Sequence, residues 1–121
     1  MKLSNIVFAK PNSKDIRVVD FGISGLYAPF SKHDKSMAGS LKYMAPEVLS
    51  HKNTSPEPAL DIFSLGVILY ALVYGKLPFD GSDHADIKRK IIAGNYSYPD
   101  NIKVSDYCKD LIDKMLLTDP K

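Results

Sequence analysis

The longest apolar segment of the chain is Leu60–Gly75, LDIFSLGVILYALVYG, which only Asp61 and Ser64 interrupt. A helix that is apolar on every side must be enclosed by protein or by lipid. A membrane span needs about 20 apolar residues, so this shorter segment predicts a buried helix in a globular core. Pro58 suits the first turn of that helix, and the final glycine followed by Pro78 is a typical stop signal.

The first third of the chain predicts a β-hairpin followed by a long loop. Residues Asn5–Ala9 and Ile16–Val19 are short apolar runs, and the turn-forming string KPNSKD separates them, which is the pattern of a hairpin. A polar stretch without periodicity follows over Ile23–Tyr43. Loops longer than about 12–15 residues are uncommon in compact domains unless they are functional or disordered, so we expect a function for this one.

Three more helices are predicted around the central one. A short helix covers Ala45–Leu49, a second covers about Asp83–Ala93 with Ser82 or Asp83 as its cap, and a third is capped by Ser105. The buried faces are predicted from apolar residues at helical spacing: Ile87, Ile91 and Ile92 in the second helix, and Tyr107, Leu111, Ile112, Met115 and Leu116 in the third. The predicted fold class is therefore mainly α with a small β-hairpin.

Composition and charge exclude several functional classes. With 45% hydrophobic and 25% charged residues, the chain has an ordinary globular composition, and its net charge of +2 is too small to indicate nucleic-acid binding. Cys108 is the single cysteine, which fits a reducing compartment, and the first ten residues lack the apolar core of a signal peptide. We therefore expect a soluble, cytoplasmic protein that binds neither nucleic acid nor membrane, with the nucleus as a second intracellular location.

Three short strings occur in one order along the chain: KLSN at residues 2–5, DFG at 20–22 and APE at 45–47. Each string alone is weak, because a tripeptide arises by chance and DFG after a strand can simply be a turn. Together with the hairpin, the long loop and the buried helix, they match the signature set of protein kinases. The chain resembles the C-terminal lobe of a kinase catalytic domain, and the resemblance covers residues 1–121.

The resemblance predicts a kinase domain that is truncated at both ends. The family's catalytic Asp lies five residues before the residue that matches Asn5, and it would immediately precede Met1. The glycine-rich loop and the ATP-binding lysine would lie further upstream. At the other end, LTDPK resembles the start of an Asp-Pro-x-x-Arg element whose Arg would lie two positions beyond Lys121. The segment DIFSLGVILYALVYGKLPFDG is most similar to the calcium/calmodulin-dependent and AMP-activated kinase branch.

By this resemblance, four residues would act on ATP and Mg²⁺. Asp20 would hold one Mg²⁺ against the ATP phosphates, and Asn5 would bind a second Mg²⁺ through its side-chain oxygen. Lys2 would stabilise the transferred phosphate, as is typical of kinases acting on serine or threonine, and Val7 would form the apolar floor beneath the adenine. Without the motif, Lys2 would be a solvated terminal lysine and Val7 an ordinary core residue of a strand.

The long loop would be the activation segment of the kinase, residues 20–47. Phe21 would be a packing residue that differs between active and inactive states. Ser36 lies where many relatives carry a phosphorylated Thr or Ser, so an upstream activating kinase is an expected partner, although most serines in polar loops are never modified. Ser40 would help to position the hydroxyl of a protein substrate carrying Ser or Thr.

Two acidic residues would have structural roles. Glu47 would pair with the Arg expected beyond Lys121, and removing one member of a buried ion pair typically costs about 3–5 kcal/mol. Asp61 would hold the catalytic loop by hydrogen bonds. An acidic residue is also favoured in the first turn of any helix, so helix electrostatics alone also explain Asp61.

Two functions from different classes fit these residues. In the first, the chain is part of a serine/threonine protein kinase, and it is inactive alone because the catalytic Asp and the N-terminal lobe are missing. In the second, it is a non-catalytic, kinase-like module that binds partners through its helices. The coding sequence upstream of Met1 discriminates them, since an in-frame His-Arg-Asp would favour the enzyme.

Overall fold

The fold consists of a small hairpin and four helices, and the computed structural model describes it for residues 1–19, 41–50 and 58–119. The elements in chain order are a 3₁₀ turn (Leu3–Asn5), strands β1 (Ile6–Phe8) and β2 (Ile16–Val18), and helices α1 (Pro46–Leu49), α2 (Pro58–Tyr74), α3 (His84–Ala93) and α4 (Asp106–Met115). The predicted class, mainly α with a small β-hairpin, is confirmed.

The hairpin forms where the sequence predicts it, with slightly shorter strands. The antiparallel register pairs Ile6 with Val18, Val7 with Arg17 and Phe8 with Ile16. Asn5 belongs to the 3₁₀ turn rather than to the strand, which explains the later start of β1. Asn12 in the connection has φ 63°, a left-handed conformation that asparagine adopts more readily than most residues.

Helix α2 is the centre of the core, but it is not enclosed on every side. Its buried residues are Leu60, Phe63, Ser64, Gly66, Val67, Ile68, Tyr70 and Tyr74. Ile62 is 47% exposed and Leu72 is 67% exposed, and at about 100° per residue they lie about 80° apart around the axis, within one half of the helix surface. The prediction of a buried helix is therefore confirmed for most of its length, whereas Ile62 and Leu72 are exposed in the described part of the chain. No described helix is long and apolar enough to cross a lipid bilayer.

Side-chain caps start α3 and α4 at the predicted places. A carboxylate oxygen of Asp83 accepts the N–H of Asp86 at 2.8 Å, so Asp83 rather than Ser82 is the cap of α3. The hydroxyl of Ser105 accepts the N–H of Cys108 at 3.3 Å. Each cap satisfies one of the backbone donors that a helix start leaves without an intrahelical partner.

The buried faces of α3 and α4 are narrower than predicted. The predicted residues Ile87, Ile91, Ile112 and Leu116 are buried, whereas Ile92, Tyr107 and Leu111 are exposed. The exposed residues lie one position away from a buried row, which is a rotation of about 100° around the helix. Helical spacing alone predicts the exposed row of apolar residues as well as the buried row. In α4, the packing against α2 decides which of the two rows is covered.

Four tyrosines join α2 to the loop between α3 and α4. The rings of Tyr70, Tyr74, Tyr96 and Tyr98 form a contiguous cluster, with centroid distances from 4.7 Å to 6.2 Å. The hydroxyls of Tyr96 and Tyr98 both donate to one oxygen of Asp113 in α4 at 2.6 Å. Burial and these hydrogen bonds raise the pKa of both phenols, so they stay neutral donors at any physiological pH.

Candidate functional site

The structure describes some of the predicted site residues and not others. Lys2, Asn5, Val7, Glu47 and Asp61 are described, whereas Asp20, Phe21, Ser36 and Ser40 lie outside the described residues. The described part of the site comprises the Lys2–Asn5 turn, the hairpin, residues 41–47 and the first turn of α2.

Lys2 and Asn5 close the turn at the entrance to β1. The N–H of Asn5 donates to the carbonyl of Lys2 at 2.9 Å, and the N–H of Lys2 donates to the side-chain oxygen of Asn5 at 3.0 Å. The second of these bonds fixes the orientation of the Asn5 side chain. An amide oxygen has two lone pairs, so the bond from Lys2 leaves acceptor capacity for a hard cation. Asn5 therefore fits the predicted role of a Mg²⁺ ligand.

The exit of β2 is hydrogen-bonded to the same turn. The N–H of Val19 donates to the carbonyl of Asn5 at 2.7 Å. Val19 immediately precedes Asp20 in the sequence. Asp20 therefore follows a residue that is hydrogen-bonded to Asn5. Val19 and Asn5 are 14 residues apart along the hairpin.

Val7 is not an ordinary core residue of the strand. It lies at the centre of β1 opposite Arg17 and is 39% exposed. Its neighbours Ile6 and Phe8 project to the other face of the hairpin, because side chains alternate along a strand. The face that carries Val7 thus presents an apolar side chain outside the core.

The first turn of α2 contacts the start of the chain. A carboxylate oxygen of Asp61 lies 3.8 Å from the amino nitrogen of Met1, and that nitrogen lies 3.3 Å from the hydroxyl of Ser64. The same hydroxyl lies 2.8 Å from the carbonyl of Tyr43 and 3.0 Å from that of Leu60. Helix α2 thus contacts both the first residues of the chain and the segment before α1. The sequence signal for Ser64 was its interruption of the apolar run.

Glu47 lies in α1 and is half-buried. Within residues 1–19, 41–50 and 58–119, no cationic group pairs with it. Its pairing with an Arg beyond Lys121 stays a prediction.

A polar cluster that the sequence did not predict lies beside residues 41–45. The ammonium of Lys42 lies 2.8 Å from a carboxylate oxygen of Asp80, which also accepts the N–H of Gly81 at 3.0 Å. The ammonium of Lys90 donates to the carbonyl of Asp80 at 2.6 Å. Lys42, Asp80 and residues 82–84 line an open cleft of about 410 Å³. Only the turn-forming string KLPFDG marked this region in the sequence.

The hydrogen bonds from Lys42 and from the N–H of Gly81 hold the pKa of Asp80 below its ordinary value. In an NMR titration of the chain, we expect Lys42→Met to raise the pKa of Asp80 toward that value. Lys114→Met, which removes the partner of Asp110, should leave it unchanged. Because folding favours the charged carboxylate, the Lys42 contact is fully present above the ordinary carboxyl pKa and is lost as pH falls through the lowered one. An Asp80 pKa that is the same in the Lys42→Met variant and in the unaltered chain would contradict the contact.

Comparison with known proteins identifies the family. The protein kinase domain model matches residues 1–121. The probable serine/threonine-protein kinase MARK-A of Dictyostelium discoideum is 40% identical over 89% of this chain and 10% of its own length. Calcium-dependent protein kinase 4 of Plasmodium falciparum is 41% identical over 97% of this chain and 22% of its own length. The SNF1-related protein kinase catalytic subunit alpha KIN12 of Arabidopsis thaliana is 43% identical over 88% of this chain and 20% of its own length.

These matches agree with the family predicted from KLSN, DFG and APE. The chain spans only 10–22% of the length of these relatives. The name of MARK-A gives the serine/threonine class, and the family match extends over the hairpin, residues 41–47 and α2 together. The chain therefore belongs to the protein kinase family, among relatives that include a probable serine/threonine-protein kinase.

Proposed function

We propose that the chain is part of the C-terminal lobe of a serine/threonine protein kinase, which transfers the γ-phosphate of ATP to a Ser or Thr hydroxyl of a protein substrate. The observation that carries this proposal is the hydrogen bond from Val19 to Asn5. It connects the KLSN turn to the residue just before DFG, which is what two ligands of one metal–nucleotide complex require. Family membership supports the same assignment.

In this proposal Asn5 and Asp20 bind the Mg²⁺ ions of Mg·ATP. When bound, Mg²⁺ neutralises negative charge on the phosphoryl group during transfer. The hydrogen bond from the N–H of Lys2 orients the Asn5 oxygen, and the Lys2 ammonium stabilises the transferred phosphate. The exposed side chain of Val7 packs against the adenine, where an apolar surface is covered on binding.

The remaining predicted residues have regulatory roles in this proposal. Phe21 differs in packing between active and inactive states, and Ser40 positions the substrate hydroxyl. Ser36 accepts a phosphate from an upstream kinase, which adds about 1.5–2 negative charges to the activation segment.

The 121 residues alone are proposed to transfer no phosphate. They contain neither His-Arg-Asp nor the glycine-rich loop of the family. No residue among them therefore matches the base that accepts the proton of the substrate hydroxyl.

Calorimetric titration with Mg·ATP of the chain extended by its in-frame upstream coding sequence, which would supply the N-terminal lobe, tests the proposal. We expect binding that Asn5→Ala and Asp20→Asn each weaken by about tenfold or more, since each removes a metal ligand. Asn101→Ala, an exposed asparagine far along the chain, is the matched control and should bind as the unaltered chain does. Circular dichroism checks that each variant is folded.

Two outcomes would contradict the proposal in different ways. Equal Mg·ATP affinity of the unaltered chain and both ligand variants would remove the metal roles of Asn5 and Asp20. Transfer of labelled phosphate to a Ser/Thr peptide mixture by the chain alone, abolished by Asp20→Asn, would show that the 121 residues need no further base.

The alternative is a kinase-like module that binds partners without transferring phosphate. The exposed apolar residues Ile62 and Leu72 on one side of α2 favour this alternative, since exposed apolar patches commonly mark interaction surfaces. It predicts no Mg·ATP binding even by the chain extended with its upstream coding sequence, so the same titration separates the two functions.

A further inference from the structure

The dipeptide Asp80–Gly81 lies in the connection between α2 and α3, outside any helix or strand. The N–H of Gly81 donates to a carboxylate oxygen of Asp80 at 3.0 Å, so the peptide nitrogen lies beside the side-chain carboxyl of the preceding residue. The side chain of Asp80 is 74% exposed, so water reaches it. This arrangement suits one intramolecular reaction, the closure of a five-membered succinimide ring.

Ring closure would join the nitrogen of Gly81 to the side-chain carboxyl carbon of Asp80. The C–N bond forms as the C–OH bond of the protonated carboxyl breaks, and the amide proton leaves with the hydroxyl as water. A second water then opens the ring. Attack at the main-chain carbonyl carbon of Asp80 yields isoaspartate, whereas attack at the former side-chain carbon restores aspartate. The sum is an isomerisation that needs no oxidant, reductant or co-reactant.

Glycine at position 81 is required by packing and also favours this reaction. A Cβ atom at this position would lie 3.0 Å from the Cγ of Asp86 in α3 and closer still to a carboxylate oxygen of that residue. A residue without Cβ also leaves its peptide nitrogen unhindered and gives the backbone the freedom that ring closure needs. The close approach to α3 therefore keeps an Asp-Gly sequence at an exposed position.

Lys42 opposes the reaction. Its ammonium lies 2.8 Å from the same carboxylate oxygen of Asp80, and its side chain is only 25% exposed. A charge-assisted hydrogen bond of this kind favours the ionised carboxylate, whereas ring closure proceeds from the protonated carboxyl, which can lose its hydroxyl as water. We propose that Asp80–Gly81 is a site of isoaspartate formation, and that the Lys42 ammonium limits the rate of this modification.

The other charged groups near Asp80 belong to the start and the middle of α3. The ammonium of Lys90 donates to the main-chain carbonyl of Asp80 at 2.6 Å and lies 3.1 Å from a carboxylate oxygen of Asp86. It therefore holds the peptide unit between Asp80 and Gly81 and not the reactive carboxyl. A carboxylate oxygen of Asp83 accepts the N–H of Asp86. Among the described residues, Lys42 is the cation that pairs with the Asp80 carboxylate.

Isoaspartate at this position would change the contact between the connection and residues 41–45. The modification adds one methylene to the backbone and leaves a carboxylate attached directly to Cα, so the pair with Lys42 cannot keep its geometry. The product belongs to the substrate class of carboxyl methyltransferases that recognise isoaspartate. The modification does not depend on the proposed kinase activity, because it uses only the chain and water.

Incubation at neutral pH of the chain extended by its in-frame flanking coding sequence tests the proposal. Electron-transfer mass spectrometry of the digested protein distinguishes isoaspartate from aspartate at Asp80 and gives the rate. We expect isoaspartate in the unaltered chain and about ten-fold faster formation in Lys42→Met, the change that follows if the pKa of Asp80 rises by about one unit. Lys114→Met, which removes the partner of Asp110, is the matched control and should leave the rate unchanged.

Two further measurements separate the charge of Lys42 from its packing. Lys42→Arg keeps a cation that can bond the carboxylate, so it should form isoaspartate more slowly than Lys42→Met. The rates of Lys42→Met and the unaltered chain should converge as pH falls through the pKa of Asp80, because the carboxyl is then protonated in both. Circular dichroism at each pH checks that the chains are folded.

Three outcomes would overturn the inference. Absence of isoaspartate at Asp80 from every folded chain would remove the modification site. Equal rates at neutral pH in Lys42→Met and the unaltered chain would remove the role of Lys42. A rate in Lys42→Arg as fast as that in Lys42→Met would assign the acceleration to loosened packing. None of these measurements uses nucleotide, so failure here is distinct from failure of the proposed Mg·ATP binding.

Discussion

Replacing Phe79 by alanine should lower the free energy of unfolding of the chain by about 3–5 kcal/mol. Phe79 is 0% exposed, its ring stacks on Phe63 at a centroid distance of 6.1 Å, and it meets Tyr96 edge-on at 5.6 Å. Truncation removes these contacts and leaves a cavity between α2 and the turn that follows it. Domains are typically stable by only about 5–15 kcal/mol, so urea denaturation followed by circular dichroism should show a large shift of the midpoint.

Phe8→Ala is the matched control for this prediction. It deletes the same atoms from a ring that is 68% exposed on β1. Surface substitutions usually change the free energy of unfolding by no more than about 0.5 kcal/mol, so the midpoint should hardly move. Similar losses for Phe8→Ala and Phe79→Ala would show that burial in the described core does not determine the effect.

Phe79 also shows why part of the core could not be predicted. The string KLPFDG predicts a turn from its proline and glycine, and nothing in that pattern marks its phenylalanine as buried. The burial depends on the turn folding back against α2, where Phe63 supplies the stacking partner. Helix α2 itself was predictable because its signals lie in consecutive residues, from Pro58 to the glycine that follows Tyr74.

Errors in the predicted faces have the same origin. In α4, the rows Tyr107–Leu111 and Ile112–Leu116 both have the i, i+4 spacing of one helix face. Only the second row is buried. The sequence of α4 contains both candidates, and the neighbouring helix selects one.

Part of the candidate site could be predicted from the sequence, and part of it could not. The order of KLSN, DFG and APE predicted the family, and the hairpin between the first two explains why Val19 bonds to Asn5. The contacts of Ser64 with Tyr43 and of Lys42 with Asp80 join residues 21 and 38 positions apart. Such contacts have no periodic or motif signal in a single sequence, because they depend on how separate elements pack.

Gly66→Val should lower the free energy of unfolding by about 2–3 kcal/mol, because Gly66 sets the distance between α2 and α4. A Cβ atom at this position would lie 2.8 Å from the Cβ of Met115 and 2.9 Å from the Cδ2 of Leu116. The Cβ of Met115 is attached to the backbone, so it moves only if α4 moves. Glycine inside a helix costs about 1 kcal/mol relative to alanine, and the close approach of α4 is the gain that offsets this cost.

Gly75→Ala is the control for this prediction. It destabilises the chain through the backbone conformation of a glycine and not through the distance between two helices. A Cβ atom at Gly75 has nothing within 4 Å, but φ there is 69°, so alanine should cost about 1–2 kcal/mol through the backbone alone. Urea denaturation measures both losses, and NMR separates their causes. Gly66→Val should shift the Met115 and Leu116 methyl resonances as α4 is displaced, whereas Gly75→Ala should leave them in place. Unchanged resonances in a destabilised Gly66→Val variant would mean that α4 does not move, and the spacing argument for Gly66 would fail.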